Sequence, residues 1–131
     1  MTHQTIHPQG WLPAKGYANG ILTKDGTLHI GGQIGWDENK KFVSDDFVEQ
    51  MRQALLNIAA IVETAGGQVS DVTRLTWFVT DKKDYLAHQA EVGSAYREVF
   101  GKHFPAMSML VVADLIEDQA VVKIEATAHL S

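Results

Sequence analysis

Apolar residues recur at two distinct periods along this chain. From Tyr17 to Thr23 and from Thr27 to Gly32 the sequence reads as two strand-like runs flanking Lys24-Asp25-Gly26. An Asp-Gly between such runs predicts a hairpin, because glycine accepts the positive φ of a tight turn. After a polar turn from Trp36 to Lys41 the period changes. Phe47, Met51, Ala54, Leu55, Ile58, Ile61, Val62 and Ala65 recur at helical spacing and predict one apolar helix stripe. Ser44 or Asp45 is placed to cap that helix, and Gly66-Gly67 to end it.

Alternation returns from Val72 to Thr80, with Thr73, Leu75, Trp77 and Val79 on one face and Arg74, Thr76, Phe78 and Thr80 on the other. A second helix follows, with Asp81 and Asp84 as cap candidates and Leu86, Tyr96, Val99 and Phe100 as apolar anchors. Gly93 stands inside it, where glycine costs about 1 kcal/mol relative to alanine. Two more strands, Ser108 to Ala113 and Ala120 to Leu130, complete the order β-β-α-β-α-β-β. The expected fold is α+β, a single domain over residues 1–131 with one mixed sheet and two helices on one face. One helix layer leaves the other sheet face open with Phe78 on it, and self-association is the economical cover.

Composition narrows the classes. The chain has 131 residues, 45% of them hydrophobic and 21% charged, which is ordinary for a soluble domain. With no cysteine there is no disulfide framework, thiolate nucleophile or thiolate metal site, and a reducing, cytoplasmic setting is expected. No apolar run approaches the ~18–20 residues of a membrane span, and the start lacks a signal-peptide pattern. The six histidines show no paired metal-ligand spacing, so no metal is expected. The net charge is −5, and the 11 Lys and Arg are scattered rather than gathered into a face that would neutralise phosphates. A nucleic-acid partner is therefore not expected.

Several short pieces in sequence order carry a resemblance. They are Gly16-Tyr17, Gly31-Gly32-Gln33, Glu63-Thr64-Ala65-Gly66-Gly67, Phe78-Val79-Thr80-Asp81, the corner Phe104-Pro105-Ala106, and Lys123-Ile124-Glu125-Ala126 in the last strand. Together they resemble the Rid (YjgF) family of small trimeric imine/enamine deaminases, over about Tyr17 to Ala128. The resemblance implies a trimer that closes its sheets into a barrel, with clefts for small molecules between subunits and no cofactor. It also implies roles. Glu125 matches a glutamate that handles water, Tyr17 a tyrosine that lines the cleft, and Gly31 the substrate-binding turn, here without a hydroxyl.

Three polar positions of the family pattern are altered. Met107 stands where the deaminating branch has an arginine that grips a substrate carboxylate. Met109 stands where a cysteine is frequent, and Gly93 aligns with a substrate-binding asparagine across an insertion of about four residues. Read simply as strand residues, Met107 and Met109 face apolar neighbours; read as site residues, they form an apolar, adaptable cleft wall. Both readings give a greasier cleft. Lys15, Lys102 and His103 are the nearby cations in sequence that could replace the arginine.

Two functions follow as expectations. The first is a cofactor-free hydrolytic deaminase for imines or enamines of non-standard kind, since that chemistry needs only a held carbon, an oriented water and a base. The second is a non-catalytic trimer that binds a small ligand in the same clefts. The ribonuclease and translation-inhibitor labels borne by part of the family run against the acidic charge.

Overall fold

A computed structural model describes residues 3–131 of the chain. Six strands form one sheet: β1 (His3–Ile6), β2 (Gly20–Thr23), β3 (Thr27–Gln33), β4 (Val72–Val79), β5 (Ala106–Val111) and β6 (Val122–His129). Their order across the sheet is β1-β2-β3-β6-β4-β5. Only β4 and β5 run parallel; the other neighbours are antiparallel. The helices are α1 (Phe47–Thr64), α2 (Lys82–Ala87) and α3 (Gln89–Phe100).

The α+β class with a mixed sheet holds, with two additions. A short strand, β1, precedes the hairpin and pairs with β2 from His3↔Thr23 to Ile6↔Gly20. The second helix comes in two pieces that meet at His88, whose backbone (φ −127°, ψ 29°) leaves the helical region. Gly93, by contrast, sits inside α3 without breaking it.

The expected stripe of α1 is its buried face: Met51, Ala54, Leu55, Ile58, Ile61 and Val62 are all fully buried. They meet Val122, Ile124, Ala126 and Ala128 of β6 and Leu75, Trp77 and Val79 of β4, which with Leu28 and Ile30 make one core. The cap of α1 is Asp46 rather than Ser44 or Asp45. Its side chain accepts from the Glu49 N–H at 3.0 Å, while Ser44 Oγ accepts from the Asp46 N–H at 2.9 Å and Asp45 takes the side chain of Gln119. For α2 the cap is Asp81, which accepts from the Lys83 and Asp84 N–H groups; Asp84 pairs with His88 at 3.0 Å.

A bulge between Val72 and Arg74 corrects the parity of β4. Val72, not Thr73, shares the core face with Leu75, Trp77 and Val79, and Thr73 is exposed. Arg74, Thr76 and Phe78 lie on the opposite face, as their spacing implies. There the helices provide no cover, and Phe78 stands half-buried between Lys123 and Leu110.

Candidate functional site

Strand parity divides the expected site residues into two groups. On β6 the core takes Val122, Ile124, Ala126 and Ala128, so Lys123, Glu125, Thr127 and His129 project from the open sheet face. On β5, Met107 pairs with Leu75 and Met109 with Trp77, so both methionines share the face that the helices cover. Glu125 and the two methionines therefore lie on opposite sides of one sheet.

On the open face, Glu125 lines a hollow of about 350 Å³ with Arg74, Thr76, His29, Gly31 and Thr127. The Glu125 carboxylate is exposed and, among the described residues, has no hydrogen-bond or ion-pair partner. Gly31 belongs also to a neighbouring hollow of about 380 Å³ that holds Tyr17, Lys123 and Glu117. Tyr17, Gly31 and Glu125 thus form one continuous region with Gly31 at its centre.

The Gly31 backbone is fixed by its surroundings. Residues 31 and 32 lie where the β3–β6 register slips between Ile30 and Gln33. The Gly31 N–H donates to the Asn19 carbonyl at 2.9 Å, and its own carbonyl accepts from the buried Gln33 side chain at 3.1 Å. Gln33 also donates to Asn19 Oδ1 at 3.2 Å, which ties the turn before β2 to the end of β3. Gly32 has a steric requirement: a Cβ there would come within 2.8 Å of the Lys123 side chain, whose stem lies across it. Tyr17 is half exposed, with Lys40 Nζ 5.8 Å from its ring centroid and donating to the Pro13 carbonyl at 2.9 Å.

On the covered face, Gly93, Met107 and Met109 line an apolar pocket of about 260 Å³ between β5 and α3. Its floor includes Leu75 and Trp77, and Tyr96, Phe104 and Pro105 form its rim. Tyr96 and Phe104 stack at 5.7 Å with 13° between their planes. Tyr96 is engaged structurally. Its hydroxyl donates to the His103 carbonyl at 2.6 Å, and burial pushes its pKa up to about 12. The phenol therefore stays protonated near neutral pH.

The three cations singled out from sequence do not line this pocket. His103 donates from Nε2 to the Val72 carbonyl at 2.7 Å, fastening the approach to β5, while Lys15 and Lys102 are exposed elsewhere. The cation that does line it is Arg97, which the sequence reading passed over. Its signal was helical spacing: Arg97 lies four residues after Gly93, one turn on along the same face. Among the described residues no cluster of three or more His, Asp or Glu side chains is placed to hold a metal ion. No helix among them is long and apolar enough to cross a membrane.

The sequence over residues 9–130 matches the endoribonuclease L-PSP family. Solved structures of the same shape cover nearly the whole chain. TdcF of Escherichia coli, crystallised with bound serine, is 31% identical over 98% of this chain and 99% of its own, with a TM-score of 0.82. YyfA of Yersinia pestis, described as a protein of unknown function in the conserved Rid family, is 29% identical over 98% and 99%, with a TM-score of 0.84. RidA from an Antarctic Psychrobacter is 29% identical over 97% and 99%, with a TM-score of 0.82.

Proposed function

The chain belongs to the Rid (YjgF) family, and from that footing we propose that it is a cofactor-free hydrolytic deaminase of imines or enamines with a largely apolar substrate body. The observation that carries this reading is the Glu125 carboxylate, exposed and, among the described residues, without a partner in a hollow beside the Gly31 backbone. A carboxylate that is not tied to a neighbour is free to orient a water and take its proton.

The reaction asks little else of the protein. Glu125 takes a proton from water as the oxygen adds to the C=N carbon and passes it to the nitrogen, giving a carbinolamine. It then takes the proton of the carbinolamine hydroxyl and delivers it to the same nitrogen, so the C–N bond breaks as the C=O bond forms and ammonia leaves a carbonyl product. In this reading Tyr17, which shares a hollow with Gly31, lines the path of the substrate.

Glu125 and the methionine pocket lie on opposite faces of one chain, so a cleft using both must be completed by another copy. We assign that role to a homotrimer. Supporting it, β5 is a sheet edge carrying exposed Met107, Leu110 and Val111, and an exposed apolar edge strand is a surface that proteins normally cover. Met107, in place of the carboxylate-gripping arginine of the deaminating branch, argues against small 2-imino acids as preferred substrates.

The test generates imines from a panel of amino acids with an oxidase and follows their decay. Wild type should accelerate the loss of imines with large apolar side chains, and Glu125→Gln should remove that acceleration. Met107→Arg should raise hydrolysis of 2-iminopropionate. Wild-type decay equal to buffer across the panel, unchanged by Glu125→Gln, would defeat the enzyme reading. It would leave the second one: a trimer whose clefts bind a small ligand without turning it over. The apolar pocket favours that alternative, as does the serine bound to the related TdcF.

A further inference from the structure

His88 joins two helices and stands between two hollows. Its N–H donates to the Tyr85 carbonyl at 3.1 Å, closing α2, and its carbonyl accepts from the Val92 N–H at 2.9 Å, opening α3. Tyr85 and Gln89, on either side of it in sequence, line the apolar pocket between β5 and α3. The side chain of His88 lines a different hollow, of about 370 Å³, against the start of α1. Whatever grips the His88 ring therefore also holds one wall of the pocket.

α2 needs such a grip. With six residues it is too short to be stable as an isolated helix. The Asp81 carboxylate caps its first turn, and the Tyr85 ring meets Phe47 edge-on with centroids 6.2 Å apart. At the other end the fastening is His88. Its Nδ1 donates to the Asp84 carbonyl at 2.8 Å, one of the carbonyls that a helix's last turn leaves without an N–H, and lies 3.0 Å from Asp84 Oδ1.

The surroundings of the ring are acidic. Asp84 on α2, Glu91 on α3 and Asp46 at the cap of α1 act on it, and Glu49 and Arg52 of α1 line the same hollow. Arg52 is itself paired with Glu49 and Glu98, so the remaining charge around His88 is negative. The hydrogen bond to the Asp84 carbonyl, foremost, and then the three carboxylates outweigh burial and raise the His88 pKa above its ordinary 6.5. The ring thus binds its proton more readily with the helices joined than in a loosened chain. Its hold is complete below about pH 6.5 and is lost as pH rises through the raised value.

We propose that His88 is a proton-operated clasp on the α2–α3 joint, which holds α2 and its Tyr85 against the apolar pocket when charged and lets that wall loosen when neutral. Apolar ligands are then held more tightly on the acid side of neutrality, in the range where histidine alone among unperturbed side chains changes charge. The clasp needs the pocket but not the deaminase reading.

Two measurements test it without turnover, both run from about pH 5.5 to about pH 8.5. Benzyl alcohol, neutral throughout, is titrated against the ¹³C-methyl signals of Met107 and Met109, which line the pocket. Amide hydrogen exchange gives the protection of residues 82–88. Wild type should bind the probe about two- to fivefold more weakly at the alkaline end, the size expected of partly exposed ion pairs, and lose protection in 82–88 with the same midpoint. His88→Gln should bind at the weak level at every pH. His88→Lys, with a permanent cation, should bind at the tight level at every pH. All other groups titrate alike in the three proteins. The His88 side chain is 43% exposed, so both variants should fold, and circular dichroism checks this. No binding of the probe, wild-type affinity that does not change with pH, or a pH dependence that survives in His88→Gln overturns the clasp. Protection of 82–88 that does not follow the probe overturns it too. A failed deaminase assay leaves every one of these readings in place, because none of them involves turnover.

Discussion

Met107 and Glu125 lie on opposite faces of the same sheet. Met107 pairs with Leu75, Leu75 pairs with Ala126, and Glu125 is the next residue along β6, pointing the other way. No side-chain motion within one chain carries either through the sheet. A site that uses both must take one from each of two copies. If so, Glu125→Gln and Met107→Glu should each be inactive as pure proteins. Co-expressed in equal amounts and mixed at random, they should regain about a quarter of wild-type turnover, because about one interface in four joins two intact halves. A site contained in one chain predicts no recovery. Sedimentation should give a species three times the 14.4 kDa of one chain.

Gln50 is a buried staple. It sits on the apolar face of α1, yet its Nε2 donates to the Ser44 and Gln119 carbonyls, each at 2.9 Å, and its Oε1 accepts from the Val121 N–H at 3.0 Å. One side chain thus ties the helix start to the connection entering β6, and every partner is a backbone group. Gln50→Leu keeps the volume and strands all three, so it should destabilise by roughly 2–4 kcal/mol. The urea midpoint should fall with its slope unchanged.

Two glycines predict opposite signs for the same substitution. At Gly35 a Cβ would meet Gln50 Cβ at 2.5 Å and Gln50 Cα at 2.7 Å, and helix backbone cannot step aside. Gly35→Ala should cost about 1–3 kcal/mol. At Gly93 the nearest atom is the tip of Arg97, which can move. Gly93→Ala should therefore stabilise by about 0.5–1 kcal/mol through the helix backbone. Thermal melts of the two variants side by side check both signs.

Most of the framework was legible because its elements bury their own periodic faces. The stripe of α1 and the alternation of β4 and β6 are local patterns with one physical cause. What was not legible depended on partners distant in sequence. β1 has four residues of which only Ile6 is buried, and it is a strand because β2 offers it an edge. Ser44, Asp45 and Asp46 are chemically equivalent cap candidates, and Gln119, 74 residues after Asp45, helps decide among them by holding Asp45. The arrangement of the candidate site was hidden for the same reason. Parity along β5 and β6 gives each residue a face, but only sheet order tells which faces coincide. The cation was sought beside Met107 in sequence, whereas the one in the pocket comes from α3.

The β2–β3 hairpin carries a titratable latch, which gives a prediction in pH. Asp25 accepts from the Thr23 hydroxyl and from the Thr27 N–H at 3.1 Å, across a turn closed by the Gly26 N–H to the Thr23 carbonyl at 3.1 Å. These hydrogen bonds, the Thr23 one foremost, favour the ionised form and lower its pKa from 3.8 to about 2. The folded value lies below the unfolded one, so folding prefers the carboxylate. Its contribution is fully present above about pH 4 and is lost as pH falls through 2. Asp25→Asn keeps a carbonyl oxygen to accept from Thr23 and Thr27 and removes the charge. Every other carboxylate titrates alike in both proteins. The fall in melting temperature between pH 5 and pH 2 should therefore be smaller in Asp25→Asn than in wild type. Parallel acid limbs in the two proteins would show that the latch is not coupled to folding.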